Sequence, residues 1–359
     1  MKTKIFKILA VLLCICFVFC SCEKQSGKDY SSSASQFEES EAEQSFSKED
    51  SEESVFESSY ESGETIESKE EIVSEDSSSG GSVSAFAQSK FFGMETLNYV
   101  ALGDSIARGY GLENPEKECY PARLTKALTT VLEGTTVNYT NYAVDGMTTQ
   151  GLIELLENGA DAIDSADLIT ICIGANNLLH NFLEVVEKHM PSMVSSSGSV
   201  SQNEMQSSAF VDAVKAIQAE VESEEFAVLM NEGVEQLKVD LVYIIEELNR
   251  RAPNADIVIT TVYSPYNGIR LSLPYLGIDF DMGAVSDRWV SALDAEIIRI
   301  AREKNCTLVE AYEPFEDKGG LVNAALSFIP FNFNFDPHPN LKGHIELSNL
   351  HLTAIKEIE

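Results

Sequence analysis

Residues 97–111 read LNYVALGDSIARGYG, an apolar run that passes directly into a turn of glycine and small polar residues. The run from 97 to 102, which is apolar except for Asn98, predicts a strand. Ser105 then lies on a tight turn, where amides at the start of the next helix could stabilise an oxyanion. We expect Asp104 to fix this turn by side-chain hydrogen bonds. Such turns are common, so this stretch alone does not establish a nucleophile.

Strand and helix patterns alternate from this point to the C-terminus. Further strands are predicted at 136–142, 168–173, 255–262 and 306–309. Helices are predicted at 120–132, 147–157, 210–250 (allowing for a break), 286–304 and 341–358. This alternation predicts an α/β fold with a doubly wound, mostly parallel, five-stranded sheet in a single domain. Such sheets bind ligands beyond the carboxyl ends of their strands, so functional residues are expected just after each strand.

Three residues downstream of predicted strands have suitable chemistry for a site. Gly146 would let the backbone approach a ligand closely, and the amide of Asn176 could donate to an oxyanion. His338 stands between two prolines in a stiff loop, which suits a general base. Each also has an ordinary explanation: a glycine that begins a helix, a helix N-cap, and a loop histidine without a chemical role.

Ser105, Gly146, Asn176 and His338 occur in this order, and here the sequence resembles the SGNH hydrolases, also called the GDSL esterase/lipase family. The resemblance covers roughly residue 97 to the C-terminus and implies the flavodoxin-like fold of that family. It implies that Ser105 is the nucleophile and His338 the catalytic histidine. It further implies that the Ser105 amide, Gly146 and Asn176 form the oxyanion hole, and that the enzyme uses no metal and no organic cofactor.

The acid of the site departs from the family's usual spacing. The family commonly places an aspartate three residues before the histidine, where this chain has Phe335, and the acid lies one residue nearer, at Asp336. Two arrangements remain open. In a tight loop Asp336 would orient His338 and complete a triad. Otherwise a backbone carbonyl would set the imidazole tautomer, leaving a dyad of Ser105 and His338.

These residues predict a serine ester hydrolase that works through an acyl-enzyme. The acidic domain disfavours strongly anionic substrates, which points to small-molecule or polysaccharide esters, such as acetylated carbohydrate or short-chain acyl esters. The alternatives are an O-acyltransferase acting on cell-surface sugars, and a non-catalytic carbohydrate-binding or adhesive module. Residues 178–206 form an insert that is either a lid or a loop without a role in binding. The loop 263–267 is a candidate pocket wall, and the chain is expected to be a monomer.

The first 22 residues have the pattern of an export signal. Three lysines precede an apolar run of about a dozen residues, which is too short for a membrane span of roughly 20. The run ends at Cys22 in a sequence that resembles the bacterial lipobox, so we expect a lipid on Cys22. The protein would then lie on the extracytoplasmic face of the cell membrane, held by that lipid alone. An ordinary secretory signal is the alternative.

Composition divides the rest of the chain into two parts. Residues 23–90 are built largely of serine and glutamate with few apolar residues, which predicts a disordered linker before a hydrolase domain at 91–359. The whole chain has 25 basic and 58 acidic side chains and a net charge of -33, which argues against nucleic acid as a partner. Of seven cysteines, four lie in the first 22 residues, so the domain has no disulfide framework or zinc motif.

Overall fold

The computed structural model describes Phe86 and residues 89–189, 208–274, 278–328, 331–334 and 336–358. The predicted signal peptide, the predicted lipid attachment at Cys22 and almost all of the predicted linker lie outside these residues. Residues 190–206 of the predicted insert lie outside them as well.

A five-stranded sheet is the centre of the domain. The strands of the described residues are β1 (Thr96–Gly103), β2 (Thr136–Asn141), β3 (Leu168–Cys172), β4 (Asp256–Thr260), β5 (Arg270–Leu273), β6 (Ile278–Asp281), β7 (Thr307–Val309), β8 (Ala325–Phe328) and β9 (Phe331–Asn334). The sheet has the order β2-β1-β3-β4-β7, and all of its neighbouring strands pair in parallel. The predicted doubly wound parallel sheet is therefore confirmed. Two antiparallel ribbons, β5–β6 and β8–β9, were not predicted.

Helices fill the connections between the strands. They are α1 (Ser105–Arg108), α2 (Pro115–Glu118), α3 (Tyr120–Val131), α4 (Thr149–Asn158), α5 (Ala175–His189), α6 (Ser208–Val221), α7 (Glu224–Arg251), α8 (Met282–Glu303), α9 (Tyr312–Lys318) and α10 (Leu341–Lys356). The predicted helix 210–250 is indeed broken, because Ser223 caps α7 through its side chain. Residues 178–189 of the predicted insert are helical and belong to α5. None of the described helices combines the length and apolarity needed to span a bilayer.

Strand β1 shows why its sequence is mostly apolar, with the polar Thr96 and Asn98 at its less buried start. Leu97, Tyr99 and Ala101 pack with residues of α3 and α10 on one face of the sheet. Val100 and Leu102 pack with α4, α7 and α8 on the other. Because successive side chains of a strand point to opposite faces, covering both faces requires apolar residues at successive positions. After β1 the chain adds β2 on one side of it, and then β3, β4 and β7 on the other side. The direction of strand order therefore changes between β1 and β3, and a ligand crevice is expected at their carboxyl ends.

The folded domain includes residues that composition assigned to the linker. Phe86 is buried in the same core cluster as Phe91 and Ile358. The Lys90 N–H donates to the carbonyl of Ile358 at 3.2 Å, and the Lys90 ammonium pairs with Asp256. The contacts of the domain therefore begin before residue 91.

Candidate active site

The turn after β1 places Ser105 at the carboxyl edge of the sheet. Gly103 has a φ of +150°, and a Cβ there would lie 2.2 Å from the carbonyl oxygen of Cys172, so only glycine fits. Asp104 caps α1, because its Oδ1 accepts the N–H of Ile106 at 2.9 Å. Ser105 is the first residue of this short helix and is buried. The prediction that Asp104 fixes the turn is confirmed.

A continuous hydrogen-bonded chain joins three of the predicted site residues. The Nε2 atom of His338 lies 2.9 Å from the Oγ of Ser105. Its Nδ1 atom lies 2.6 Å from the Oδ1 of Asp336. Of the two arrangements that the sequence left open, the structure therefore contains the one in which the shifted acid reaches the imidazole.

Asp336 is held as a carboxylate. Its partial burial would by itself raise its pKa, but His338 and the side-chain amide of Asn323 donate hydrogen bonds to it. These bonds hold the pKa of Asp336 below its ordinary value. The Asn323 Nδ2 atom lies 2.9 Å from Oδ2. No motif marks Asn323 in the sequence, because it lies on a loop between α9 and β8.

Two tyrosines contact the loop 336–340, which carries His338 and is called the histidine loop below. The hydroxyl of Tyr263 donates to the carbonyl of Pro337 at 2.9 Å. The ring of Tyr110 packs against the imidazole of His338, with ring centroids 4.5 Å apart. Sequence reasoning did not assign either role, although Tyr110 lies within the glycine-rich turn and Tyr263 within the predicted pocket loop.

Asn176 lies beside the turn that carries Ser105. Its side chain is hydrogen-bonded to Met147, the residue that follows Gly146. The Nδ2 atom of Asn176 donates to the carbonyl of Met147 at 3.0 Å and lies 3.4 Å from the Oδ2 of Asp104. Gly146 precedes Met147 and has a φ of +74°, which favours glycine. Burial raises the pKa of Asp104 to about 7, although the Ile106 N–H acts against this.

A buried polar network anchors the start of α5, which carries Asn176. The side chain of Asn177 accepts the N–H of Thr149 at 3.1 Å and donates to its hydroxyl at 2.7 Å. That hydroxyl donates in turn to Asp240 at 2.7 Å. The network joins α4, α5 and α7 by hydrogen bonds, and so it fixes the position of Asn176 next to the turn that carries Ser105.

The sequence model of the GDSL-like lipase/acylhydrolase family matches residues 101–344, well over half of the chain. This protein belongs to that family. It is a hydrolase of carboxylic esters, and its parallel sheet is the fold expected of such enzymes. No curated protein is similar enough in sequence to count as a match.

Several solved structures resemble the hydrolase at low sequence identity. An extracellular lipase from Streptomyces rimosus is 18% identical, with a TM-score of 0.46 over 72% of this chain and 99% of that one. A lipase from a goat rumen metagenome is 17% identical, with a TM-score of 0.49 over 72% and 97% of the two chains. An acetyl xylan esterase from Geobacillus stearothermophilus is 19% identical, with a TM-score of 0.42 over 74% and 99%.

A cavity of about 170 Å³ opens beside Ser105 and His338 of the hydrolase. Its walls come from α5, α7, α8 and the loop after β4, and most of its lining side chains are apolar. They include Leu178, Leu179, Phe182, Phe226, Met230, Pro265, Tyr266, Met282, Val285, Trp289, Val290 and Leu293. The prediction that the loop 263–267 lines the pocket is confirmed by Tyr263, Pro265 and Tyr266.

Two other histidines of the hydrolase are structural. Burial lowers the pKa of His344 to about 3 and that of His351 to about 4, so both are neutral near pH 7. His344 accepts the N–H of Tyr120 at 3.2 Å, and His351 bridges Thr260 and the carbonyl of Leu347. Within the described residues, no three histidine, cysteine or acidic side chains are grouped closely enough to hold a metal ion.

Proposed function

We propose that the hydrolase cleaves esters of medium-length acyl chains through an acyl-enzyme on Ser105, with His338 as the general base and Asp336 as the acid that orients it. The observation that carries this proposal is the hydrogen-bonded chain of these three side chains beside an apolar cavity. The three hydrogen-bonded side chains supply the chemistry, and the cavity supplies a binding site for the acyl group.

The reaction proceeds in two halves. In the first, Nε2 of His338 takes the hydroxyl proton of Ser105 while Oγ attacks the ester carbonyl carbon. The tetrahedral intermediate collapses, the bond to the leaving oxygen breaks, and His338 returns the proton to that oxygen to release the alcohol. In the second half, water attacks the acyl-enzyme and gives a proton to His338. Collapse then returns that proton to Ser105 and releases the carboxylic acid.

The oxyanion hole is assigned to the main-chain N–H groups of Ser105 and Gly146 and to the side-chain amide of Asn176. Asn176 lines the cavity next to Ser105, which supports its role. Its Nδ2 atom carries two N–H groups, and Met147 accepts one at the shorter distance. The other N–H faces Asp104, with Nδ2 of Asn176 3.4 Å from Oδ2 of Asp104. This second N–H is the one that would donate to the oxyanion. Loss of one such donor typically costs about 10²- to 10³-fold in kcat.

The cavity favours an acyl chain longer than acetyl. An apolar cavity of roughly 150 Å³ is enough to bind benzene, which has six carbons. A cavity of about 170 Å³ therefore suits an acyl chain of roughly six carbons. An acetyl group would leave most of this apolar wall without a partner, which weighs against the acetylated carbohydrate esters favoured by charge alone.

The contact between Asp336 and His338 also bears on the two alternative functions. An acid too far from the histidine would have favoured a non-catalytic binding module, but Asp336 does contact the imidazole. Transfer to a sugar hydroxyl would use the same acyl-enzyme with a different acceptor. Product analysis with an added sugar separates transfer from hydrolysis.

The test is a series of p-nitrophenyl esters from acetate to dodecanoate, assayed with the full-length chain and with Ser105→Ala. Burying four further methylenes at about 0.8 kcal/mol each would favour hexanoate over acetate by roughly 10²-fold in kcat/KM. Ser105→Ala should abolish hydrolysis, and a fluorophosphonate should label Ser105 but not the His338→Ala variant. Equal kcat/KM for acetate and hexanoate would reject the medium-chain assignment, and hydrolysis by Ser105→Ala would reject the nucleophile.

We also propose that Cys22 carries a lipid that attaches the protein to the extracytoplasmic face of the membrane. The support is the apolar run ending at Cys22. Labelling of cells with a palmitate analogue should mark the native chain and Cys20→Ser but not Cys22→Ser. Label in Cys22→Ser would reject this attachment site.

A further inference from the structure

One carboxylate oxygen of Asp336 serves two donors on the same residue. Its Oδ1 accepts the main-chain N–H of His338 at 3.1 Å and also contacts the imidazole Nδ1 at 2.6 Å. A bond from an aspartate to the N–H two residues later is a standard local turn. Both contacts fall on the same oxygen, so they leave the carboxyl group free to turn about that oxygen and do not by themselves fix its plane.

The second oxygen, Oδ2, is contacted by Asn323. The Nδ2 atom of Asn323 donates to it at 2.9 Å. An amide donor can bond an ionised carboxylate but gains nothing from the neutral O–H that a protonated acid would present, so it favours the charged form. Gly111, on the loop after α1, lies beside this pair, because a Cβ there would sit 3.8 Å from Oδ2 and 3.9 Å from Nδ2.

The segment that carries Asn323 is bound along the histidine loop. The main-chain N–H of Asn323 donates to the carbonyl of His338 at 2.9 Å, and Val322 forms a bridge with Pro339. The side-chain amide of Asn340 donates to the carbonyls of Gly320 and Val322. Asn323 is thus tied to the loop through its backbone, and its side chain is directed at the one carboxylate in that loop.

We propose that Asn323 is a positioning residue that acts through Asp336. Its amide binds the oxygen that faces away from His338 and so fixes the plane of the carboxylate, with the other oxygen towards the imidazole. Nδ1 then keeps its proton, and Nε2 remains free to accept the proton of Ser105. This inference rests on the proposed function of Ser105, His338 and Asp336, and it explains how an acid placed two residues before the histidine can serve it.

The first test is the steady-state kinetics of Asn323→Ala in the full-length chain with p-nitrophenyl hexanoate. We expect kcat to fall roughly 10- to 100-fold, the range that a hydrogen bond to a charged group can contribute. KM should change less than threefold, because Asn323 does not line the acyl cavity. Asn340→Ser is the matched control, since serine also caps helices but removes the amide that holds the same segment. It should keep kcat within threefold of the native value.

The second test is the pH dependence of Asn323→Asp, which keeps the shape but replaces the donor by a carboxyl group. At pH 8 two carboxylates would face each other, and activity relative to the native enzyme should be low. On acidification one proton is shared by the pair, and the introduced O–H can donate to Asp336. The ratio of variant to native kcat should therefore rise at least fivefold from pH 8 to pH 5.5, whereas that of Asn323→Ala should stay constant. Among the described residues, His338, Tyr263 and Tyr266 are titratable groups that interact with Asp336, and all three proteins share them.

Native kcat in Asn323→Ala would overturn the proposal. So would a pH-independent ratio for Asn323→Asp, or an equal loss of kcat in Asn340→Ser, because these would show that only the packing of the segment matters. Failure of the proposed function is seen separately, as undiminished hydrolysis by Ser105→Ala.

Discussion

Asp336 and His338 are two residues apart, and a single oxygen of Asp336 contacts both the main-chain N–H and the imidazole Nδ1 of His338. The short spacing does not prevent a triad. The Asp336 side chain bends towards the backbone of its own loop, and from there it also reaches the imidazole of His338. The imidazole is thereby oriented with Nε2 towards Ser105.

Replacement of the acid should therefore remove most of the activity. In Asp336→Asn the amide N–H would face Nδ1 and favour the tautomer that carries its proton on Nε2, which cannot accept the proton of Ser105. Loss of the corresponding carboxylate in a Ser-His-Asp triad costs about 10⁴-fold in kcat. Ester hydrolysis at pH 7.5 and thermal unfolding of the variant check this. A loss of less than tenfold in a folded variant would favour the dyad.

Narrowing the cavity should change the acyl preference without removing activity. Leu179 on α5 is part of the cavity wall and is only partly buried, so tryptophan can enter the cavity with limited strain. We expect Leu179→Trp to lower kcat/KM for the hexanoyl ester at least tenfold and that for the acetyl ester less than threefold. Leu179→Met, which conserves volume, is the control. An equal loss on both esters would place the acyl group elsewhere.

The free energy of unfolding should fall as the pH rises from 6.5 to 8. Burial raises the pKa of Asp294 to about 8, so the folded protein keeps a proton that the unfolded chain has lost. A raised acid pKa means stability that is present below the unfolded value and lost as the pH rises through the folded value. His344 and His351 have lowered pKa values and act in the opposite direction, but only below about pH 6.5.

Asp294→Asn isolates this effect. Its Oδ1 accepts the N–H of Val262 at 2.8 Å, and an asparagine oxygen can keep that bond. Asp104, whose pKa burial raises to about 7, contributes equally to the slope of both proteins. The native protein should therefore lose up to about 1.4 kcal/mol per pH unit more than the variant in this window. Urea unfolding at pH 6.5, 7.2 and 8 measures both slopes. Identical slopes would show that Asp294 is already ionised in the folded protein.

The network around Thr149 should contribute to stability. Thr149→Val removes the hydroxyl that donates to the buried Asp240 and accepts from Asn177, and so leaves a carboxylate without one of its donors. We expect a loss of about 2 to 4 kcal/mol in the free energy of unfolding, and Thr149→Ser should recover most of it. A loss below 0.5 kcal/mol in Thr149→Val would show that the network is not stabilising.

Much of the sheet could be predicted because its signal is local. A strand covered on both faces is mostly apolar, so β1, β3 and β4 are visible as short apolar runs in the sequence. The ribbons β5–β6 and β8–β9 were not predicted, and each of their strands is only four residues long. The burial of Phe86 was not predicted, because this residue stands in a polar stretch whose composition gives no sign of it.

Ser105, Gly146, Asn176 and His338 were recognisable from the sequence because each stands in a short motif beside a predicted element, and local backbone preferences determine such motifs. The contacts that complete the site join segments far apart in the chain. Asn323 reaches Asp336, and Tyr263 reaches Pro337, only after the loops have packed together. Packing of α5, α7 and α8 likewise forms the apolar cavity beside Ser105, because the volume between helices depends on how whole helices meet and not on any one stretch of sequence.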